Sequence, residues 1–252
     1  MTDAGSGRPV LWGHGLSSST ALEEQAGFVR WDRIDPPVRI VRWDARSHGR
    51  SGGTVEPSAH RWDELARDLL ALADALGIER PVLGGASMGA ASALHAAVQA
   101  PGRVAALVLA LPPTAWATRP AQAAAYAAGA DLVDARGAAA YVEQTRAEPQ
   151  PEILPAFAGA FTYTPAVPDH LLAAVLRGAA ASDLPDPDVL RTLDVPTLVL
   201  AWDTDPGHPV STAEALGELL PRAEVHIART LRDVATWTSK TERFLQSIED
   251  DA

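Results

Sequence analysis

The stretch Gly-Gly-Ala-Ser-Met-Gly at residues 84–89 decides how this chain is interpreted. It follows a short apolar strand that is predicted to end at Leu83, and it opens an alanine-rich helix. A serine on a tight strand-to-helix turn adopts strained backbone angles, and the residues two before and two after it are forced close together. Gly85 and Gly89 provide the space for that approach. The pattern therefore predicts that Ser87 holds its hydroxyl clear of the backbone, as a nucleophile requires.

Strands alternate with helices on both sides of this turn. The helix after the second strand carries an apolar stripe at three- and four-residue spacing from Leu65 to Leu76. Such alternation predicts an α/β fold with a mostly parallel sheet, whose functional groups gather at the carboxyl ends of the strands. The predicted strands are Pro9–Trp12, Val38–Trp43, Pro81–Leu83, Val104–Leu111, Val195–Ala201 and Glu224–Ala228.

The alternation stops in the middle of the chain, where Ala and Pro are frequent. We predict a helical cap insertion over residues 112–190, between core segments at residues 1–111 and 191–252. Aromatic residues in such a cap favour a mostly apolar pocket, although aromatic residues at helical spacing more often form the core of the segment itself. The aromatic residues of the insertion are Trp116, Tyr126, Tyr141, Phe157, Phe161 and Tyr163, of which the first two are candidate pocket residues.

The composition excludes several classes of function. The 252 residues include no cysteine, so disulfides, thiolate metal sites and a cysteine nucleophile are excluded. The net charge of −11 argues against nucleic acid or an anionic membrane as a partner. Without a signal-peptide pattern or a membrane-spanning run, a cytoplasmic protein acting on a small molecule is expected. Histidines and carboxylates lack metal-ligand spacing, and residues 84–89 lack the Lys of a phosphate loop, so no metal or cofactor is expected.

Four motifs follow one another in the order seen in α/β-hydrolases, and the chain resembles that family. They are His14-Gly15, the loop at residues 44–51, the Ser87 turn, and Asp-Thr-Asp-Pro at residues 203–206. The resemblance covers nearly the whole chain apart from the insertion, which is similar to the family's variable cap. The overall shape resembles the enol-lactonase and small-esterase branch. Only about eight residues precede the first predicted strand, so the family's N-terminal hairpin is expected to be missing and the sheet to have about six strands.

The resemblance also implies roles for particular groups. The backbone N–H groups of Leu16 and Met88 would form an oxyanion hole, and His14 would border it in the substrate pocket. Asp205 would be the acid of the catalytic triad, because it stands just before Pro206 at the family's usual distance from the strand. Asp203 is the second choice. The alternative is that both carboxylates are solvated in the loop or cap the next helix.

The family pattern fails at the general base. A triad hydrolase of this family carries a Gly-His pair after the last strand, but residues 229–234 read Arg-Thr-Leu-Arg-Asp-Val. Four of the seven histidines are interpreted as non-catalytic. His48 is expected in a structural loop and His60 on the surface. His95 lies two helical turns beyond the serine, and His226 is expected in mid-strand.

Three histidines remain as candidates for the base. His208 is favoured because it lies three residues after Asp205 and could pair with that carboxylate. His14 and His170 are its rivals. Loss of the histidine costs a serine protease about 10⁶ in turnover, so a chain without a base would be a poor hydrolase.

Three functions are consistent with these residues. The first is a serine hydrolase of a small, apolar carboxylic ester or lactone, acting through an acyl-enzyme on Ser87 with a relocated base. The second is a lyase, cyclase or isomerase that uses the oxyanion donors without an acyl-enzyme, which the missing histidine favours. The third is a binding module for a small apolar ligand, which the retention of a strained turn disfavours.

Overall fold

The computed structural model describes residues 1–148 and 164–248. In these residues a seven-stranded sheet with the order β1-β3-β2-β4-β5-β6-β7 forms the centre of the molecule. All neighbouring strands are parallel except β1 and β3. The prediction of an α/β fold with a mostly parallel sheet is therefore confirmed. The strands are β1 (Thr2–Ala4), β2 (Arg8–Gly13), β3 (Val38–Arg42), β4 (Val82–Ala86), β5 (Ala106–Ala110), β6 (Thr197–Trp202) and β7 (Ala223–Ala228).

The number of strands corrects the expectation of about six. Strand β1 is an edge strand of the sheet and runs antiparallel to β3, with Asp3 opposite Val41. It has only three residues and no apolar alternation, so its sequence carries no strand signal. Its side chains pair instead with the neighbouring strand, since the Asp3 carboxylate lies 2.7 Å from the Arg39 guanidinium. A short, charged edge strand of this kind limits unwanted pairing with other chains.

Helices cover both faces of the sheet. Neighbouring residues Val82 and Leu83 on β4 are both fully buried and belong to opposite core clusters, as expected for a parallel strand that is covered on both sides. One face packs against α2, α3 and α8, and the other against α9 and α10. The helices are α1 (Thr20–Ala26), α2 (Trp62–Ala75), α3 (Met88–Gln99), α4 (Arg119–Arg136), α5 (Ala138–Ala147), α6 (Asp169–Ala180), α7 (Pro187–Leu190), α8 (Val210–Leu219), α9 (Leu231–Ala235) and α10 (Trp237–Ser247).

The described part of the predicted insertion is helical. Helices α4, α5 and α6 form a third apolar cluster, distinct from the two on the faces of the sheet. Arg119 fastens the start of α4 to the end of α6, because its Nε donates to the Ser182 carbonyl at 2.6 Å and its guanidinium lies 4.3 Å from the centre of the Trp62 ring. The limits of the cap at residues 112 and 190 stay a prediction. Phe157, Phe161 and Tyr163 lie outside the described residues.

No helix among residues 1–148 and 164–248 combines the length and the apolar character that a bilayer-spanning helix needs.

Candidate active site

Ser87 stands at the junction of β4 and α3 in a strained backbone conformation. Its φ of 53° and ψ of −112° lie outside the regions that residues with a side chain prefer. Two glycines make the turn sterically feasible, because a Cβ on Gly85 would lie 2.8 Å from the Gly89 Cα, and both glycines also crowd against Gly13. The Ser87 N–H donates to the Ala110 carbonyl at 3.0 Å, which ties the turn to β5. The serine is left partly exposed at the carboxyl end of the sheet.

The structure brings His208 and Asp205 to this serine. The His208 Nε2 lies 2.8 Å from the Ser87 Oγ, and the His208 Nδ1 lies 2.8 Å from the Asp205 Oδ2. A carboxylate accepts only, so Nδ1 carries the proton of the neutral ring and Nε2 is free to accept one from the serine. This is the arrangement that a general base needs in order to activate a hydroxyl.

A single tight turn places the acid and the histidine side by side. The His208 N–H donates to the Asp205 carbonyl at 3.1 Å, which closes a four-residue turn with Pro206 in its second position and Gly207 in its third. Proline favours the second position of such a turn because its φ is already fixed, and aspartate favours the first. The Thr114 N–H donates to the Gly207 carbonyl at 3.2 Å and ties the turn to the segment after β5.

Asp205 is held as a carboxylate. Burial by itself would raise its pKa, but hydrogen bonds from the His208 ring, the Trp202 indole and the Gly207 backbone outweigh burial and lower the pKa to about 2. The Trp202 Nε1 lies 2.9 Å from Oδ2, and the Gly207 N lies 3.0 Å from Oδ1. Trp202 was not a candidate from the sequence. Its position at the end of a strand, directly before the acidic loop, is the signal that could have identified it.

The rival histidines are placed differently. The His14 Nε2 accepts from the Ala45 N–H at 2.9 Å, and its Nδ1 lies 2.8 Å from the Gly15 carbonyl, so both ring nitrogens are occupied. His170 lies exposed near the start of α6. Among the described residues, the ring that contacts the Ser87 hydroxyl is that of His208.

The side chains of His48 and His14 both make hydrogen bonds that fix the loop after β2. The His48 Nε2 accepts from the Ser17 N–H at 3.2 Å, and its Nδ1 donates to the Arg46 carbonyl at 2.8 Å. An N–H can only donate to an unprotonated nitrogen, so this contact requires a neutral ring. Burial lowers the pKa of His48 to about 3, with the neighbouring His14 adding to the effect. Both rings therefore support the segment that carries Leu16.

His60 corrects the expectation that it lies on the surface. Only 2% of it is exposed, and its Nε2 lies 2.8 Å from the Ser47 Oγ. Helix α6 covers it so closely that a Cβ on Gly178 would lie 2.5 Å from the His60 Cβ. The remaining two histidines have partners away from the serine: the His95 Nε2 donates to the Asp183 carbonyl at 2.8 Å, and the His226 Nε2 lies 2.6 Å from the Glu224 carboxylate.

The segment after β7, where the resemblance would place a histidine, begins a helix instead. Thr230 and Asp233 form a capping box at the start of α9. The Asp233 Oδ2 accepts from the backbone N–H groups of Arg229 and Thr230 at 3.0 and 2.9 Å, while Thr230 Oγ1 accepts from the Asp233 N–H. Three backbone donors of this segment are thereby satisfied by its own side chains.

Two backbone N–H groups near Ser87 are candidate oxyanion donors. Met88 is the first residue of α3, so its N–H has no acceptor within the helix. The loop that carries Leu16 comes close to the serine, since a Cβ on Gly15 would lie 3.6 Å from the Ser87 Cβ. No residue in the described ranges accepts a hydrogen bond from the Leu16 N–H. A role for these two groups stays a prediction.

The predicted pocket residues Trp116 and Tyr126 lie in the insertion. The Trp116 indole Nε1 donates to the Pro185 carbonyl at 3.0 Å, and its backbone N–H donates to Asp183. Tyr126 packs, like Leu16, against the apolar cluster of α4, α5 and α6. The polar groups of Trp116 therefore bind the Pro185 carbonyl and the Asp183 carboxylate, whereas Tyr126 packs against the same apolar cluster as Leu16. In the described part of the chain, no group of three His, Asp or Glu side chains is arranged to hold a metal ion.

Comparison with known proteins identifies the family. The model of the α/β-hydrolase fold family matches residues 10–162, so the chain belongs to that family. A candidate non-heme haloperoxidase of Mycobacterium phage D29 is 36% identical over 110 residues, which are 43% of this chain and 37% of that protein. A candidate carbamate hydrolase, RutD of Variovorax paradoxus strain S110, is 33% identical over 139 residues, which are 54% of this chain and 49% of that protein. Both matches thus span less than half of the relative's length.

A solved structure supports the same fold. The thermophilic esterase of Thermogutta terrifontis superposes with a TM-score of 0.75 over 98% of this chain and 92% of its own, at 24% sequence identity.

Proposed function

We propose that this protein is a serine hydrolase that cleaves a small carboxylic ester or lactone through an acyl-enzyme on Ser87. One observation carries the proposal: two contacts of 2.8 Å link the Ser87 hydroxyl to His208 and His208 to the Asp205 carboxylate. The base is atypical in its place along the chain, since it follows β6 and not β7. A catalytic triad is recognised by such distances and roles, which do not depend on the order of the residues in the sequence.

The geometry suggests the following reaction. His208 Nε2 accepts the hydroxyl proton of Ser87 as Oγ attacks the acyl carbon, and Asp205 stabilises the resulting imidazolium. The N–H groups of Leu16 and Met88 donate to the oxyanion of the tetrahedral intermediate. His208 then returns the proton to the departing alcohol, which leaves the acyl group on Ser87. Water hydrolyses this ester with His208 again acting as the base.

An apolar cluster beside the loop that carries Leu16 supports the proposed substrate class. The cluster formed by α4, α5 and α6 is apolar, and both Leu16 and Tyr126 pack against it. An apolar acyl or alcohol group suits such a surface. Relatives named as an esterase and a carbamate hydrolase are consistent with an acyl-group hydrolase. A lyase, cyclase or isomerase is the alternative that a missing base would favour, and the contact between His208 and Ser87 favours the hydrolase over it.

Hydrolysis of p-nitrophenyl butyrate tests the proposal. Replacing Ser87→Ala should lower kcat by about 10⁴- to 10⁶-fold, because the nucleophile is lost. Ser239→Ala is a matched control, since this exposed hydroxyl on α10 donates to the Thr236 carbonyl at the start of its own helix. Turnover by the Ser87→Ala variant equal to that of the Ser239→Ala variant, with both proteins folded, would refute a serine mechanism.

A further inference from the structure

The acid and the candidate base lie on one turn, so their positions relative to Ser87 depend on contacts that hold this turn against the sheet. Asp205 and His208 are only three residues apart and would move together if the loop shifted against Ser87. Trp202 is the last residue of β6 and belongs to the sheet. Its indole Nε1 lies 2.9 Å from the Asp205 Oδ2, the same oxygen that accepts from His208. One carboxylate oxygen is therefore held between the sheet and the histidine.

The Trp202 ring is itself fixed from two sides. Only 3% of the residue is exposed. It stacks on Trp237 of α10 with ring centres 6.0 Å apart and planes inclined by 25°, and it meets the edge of Phe28 at 5.3 Å. Aromatic pairs with these geometries are mutually attractive. The indole donor is thus rigid relative to the sheet that also carries Ser87.

We propose that Trp202 is a positioning residue for the reaction, which fixes the direction of the Asp205 carboxylate and moderates its hold on His208. This inference rests on the proposed function. An N–H donor on Oδ2 draws away part of the negative charge that the imidazolium would otherwise feel. Without the donor, Asp205 can rotate, and the charge on Oδ2 that faces His208 increases. His208 would then be oriented less well and would keep its proton to a higher pH.

The charges around the acid allow this effect to be measured. In the described residues, His208 is the titratable side chain that faces Asp205, and the other donors are the neutral indole of Trp202 and the Gly207 backbone. Asp203 lies two residues earlier on the same loop. Removing the indole N–H donor therefore changes the environment of the acid without removing a charge.

The experiment compares Trp202→Phe with Trp62→Phe in the whole chain. Both substitutions shorten a buried tryptophan, but only the first removes a donor to Asp205, because the Trp62 indole N–H has no hydrogen-bond partner among the described residues. Trp202→Phe should lower kcat about 10-fold with little change in KM, and should shift the acidic limb of the kcat/KM profile upward by about 0.5–1 pH unit. Trp62→Phe should leave the acidic limb in place. Equal profiles for the two variants would overturn the inference.

A second measurement does not depend on activity. In a ¹⁵N-labelled sample, the indole N–H resonance of Trp202 is assigned by its loss in the Trp202→Phe variant. Asp205→Asn should move this resonance upfield, because a neutral amide is a weaker acceptor than a carboxylate. An unchanged resonance would overturn the inference. A Ser87→Ala variant with full esterase activity would instead refute the proposed function, so the two failures are distinguishable.

Discussion

The segments that follow β6 and β7 leave the same edge of the sheet, yet only the first presents a histidine to Ser87. After β6, the turn from Asp205 to His208 places an acid and an imidazole together. After β7, Thr230 and Asp233 cap a helix that begins at once and leave no loop to carry a base. The difference teaches that a base is defined by its reach to the hydroxyl and to the acid, so that its position in the chain can change.

The largest expected effect separates the two segments directly. His208→Ala should lower kcat/KM for p-nitrophenyl butyrate by about 10⁴- to 10⁶-fold, because the hydroxyl loses its proton acceptor. His226→Ala is the control on β7, where the ring lies between Glu224 and Lys240. It should keep activity within about twofold. A larger loss in the His226→Ala variant than in the His208→Ala variant would reverse the comparison.

The acid should give the next largest effect. Asp205→Asn is expected to lower kcat by about 10⁴-fold, because an amide cannot stabilise the imidazolium and favours the wrong tautomer of His208. Asp203→Asn serves as the matched control on the same loop. Its activity should remain close to that of the wild type in the same assay. If Asp203→Asn proves the more damaging change, the acid has been assigned to the wrong residue.

The features that could be predicted from the sequence are those determined by steric contacts between residues close together in the chain. The Ser87 turn is visible in the sequence because Gly85 and Gly89 must be close to each other, whatever the rest of the chain does. Strands β4, β5 and β6 are visible because both faces of this part of the parallel sheet are covered, so that their residues are small or apolar and fully buried. Strand β1 is not, because its three residues owe their pairing to β3 and not to their own pattern.

Long-range contacts set the limit of what could be predicted. His60 was expected on the surface, but α6, far along the chain, packs over it. The choice among His208, His14 and His170 depends on which ring can reach the Ser87 hydroxyl, and this distance follows from the turn at residues 205–208 and from the order of the strands. An Asp-Pro-Gly-His sequence is typical of a tight turn, so it could have strengthened the case for His208.

The free energy of unfolding should depend on pH through His48. In the proposed reaction His208 must take up a proton, whereas His48 must remain neutral for the fold. The pKa of His48 is lowered from 6.5 to about 3 by burial. Between these values the unfolded chain binds a proton that the folded chain does not, so the contribution to stability is complete above pH 6.5 and is lost as the pH falls toward 3. We expect the free energy of unfolding to fall between pH 7 and pH 4 by about 3 kcal/mol more in the wild type than in His48→Gln.

Urea unfolding at the two pH values measures this difference. His170→Gln is the control, because His170 is exposed on α6. Its loss of stability should parallel that of the wild type. A His48→Gln variant with the same pH dependence as the wild type would show that His48 does not titrate as described.

The smallest expected effect lies in the segment after β7. Thr230→Ala removes the acceptor for the Asp233 N–H and should lower the free energy of unfolding by about 1 kcal/mol. Esterase activity should be unchanged because this capping box is separate from the Ser87 site. Thermal unfolding and the ester assay together test both statements. A large loss of activity at full stability would assign the segment a catalytic role.

Labelling of Ser87 by a fluorophosphonate tests the central claim most directly, because the reagent reports how strongly the hydroxyl is activated without requiring turnover. The adduct is located by mass spectrometry of the peptide that contains residues 81–103. We expect rapid labelling of Ser87 in the wild type and in His226→Ala, and labelling at least about 100-fold slower in His208→Ala. Equally fast labelling of His208→Ala and the wild type would contradict the assignment of His208 as the base.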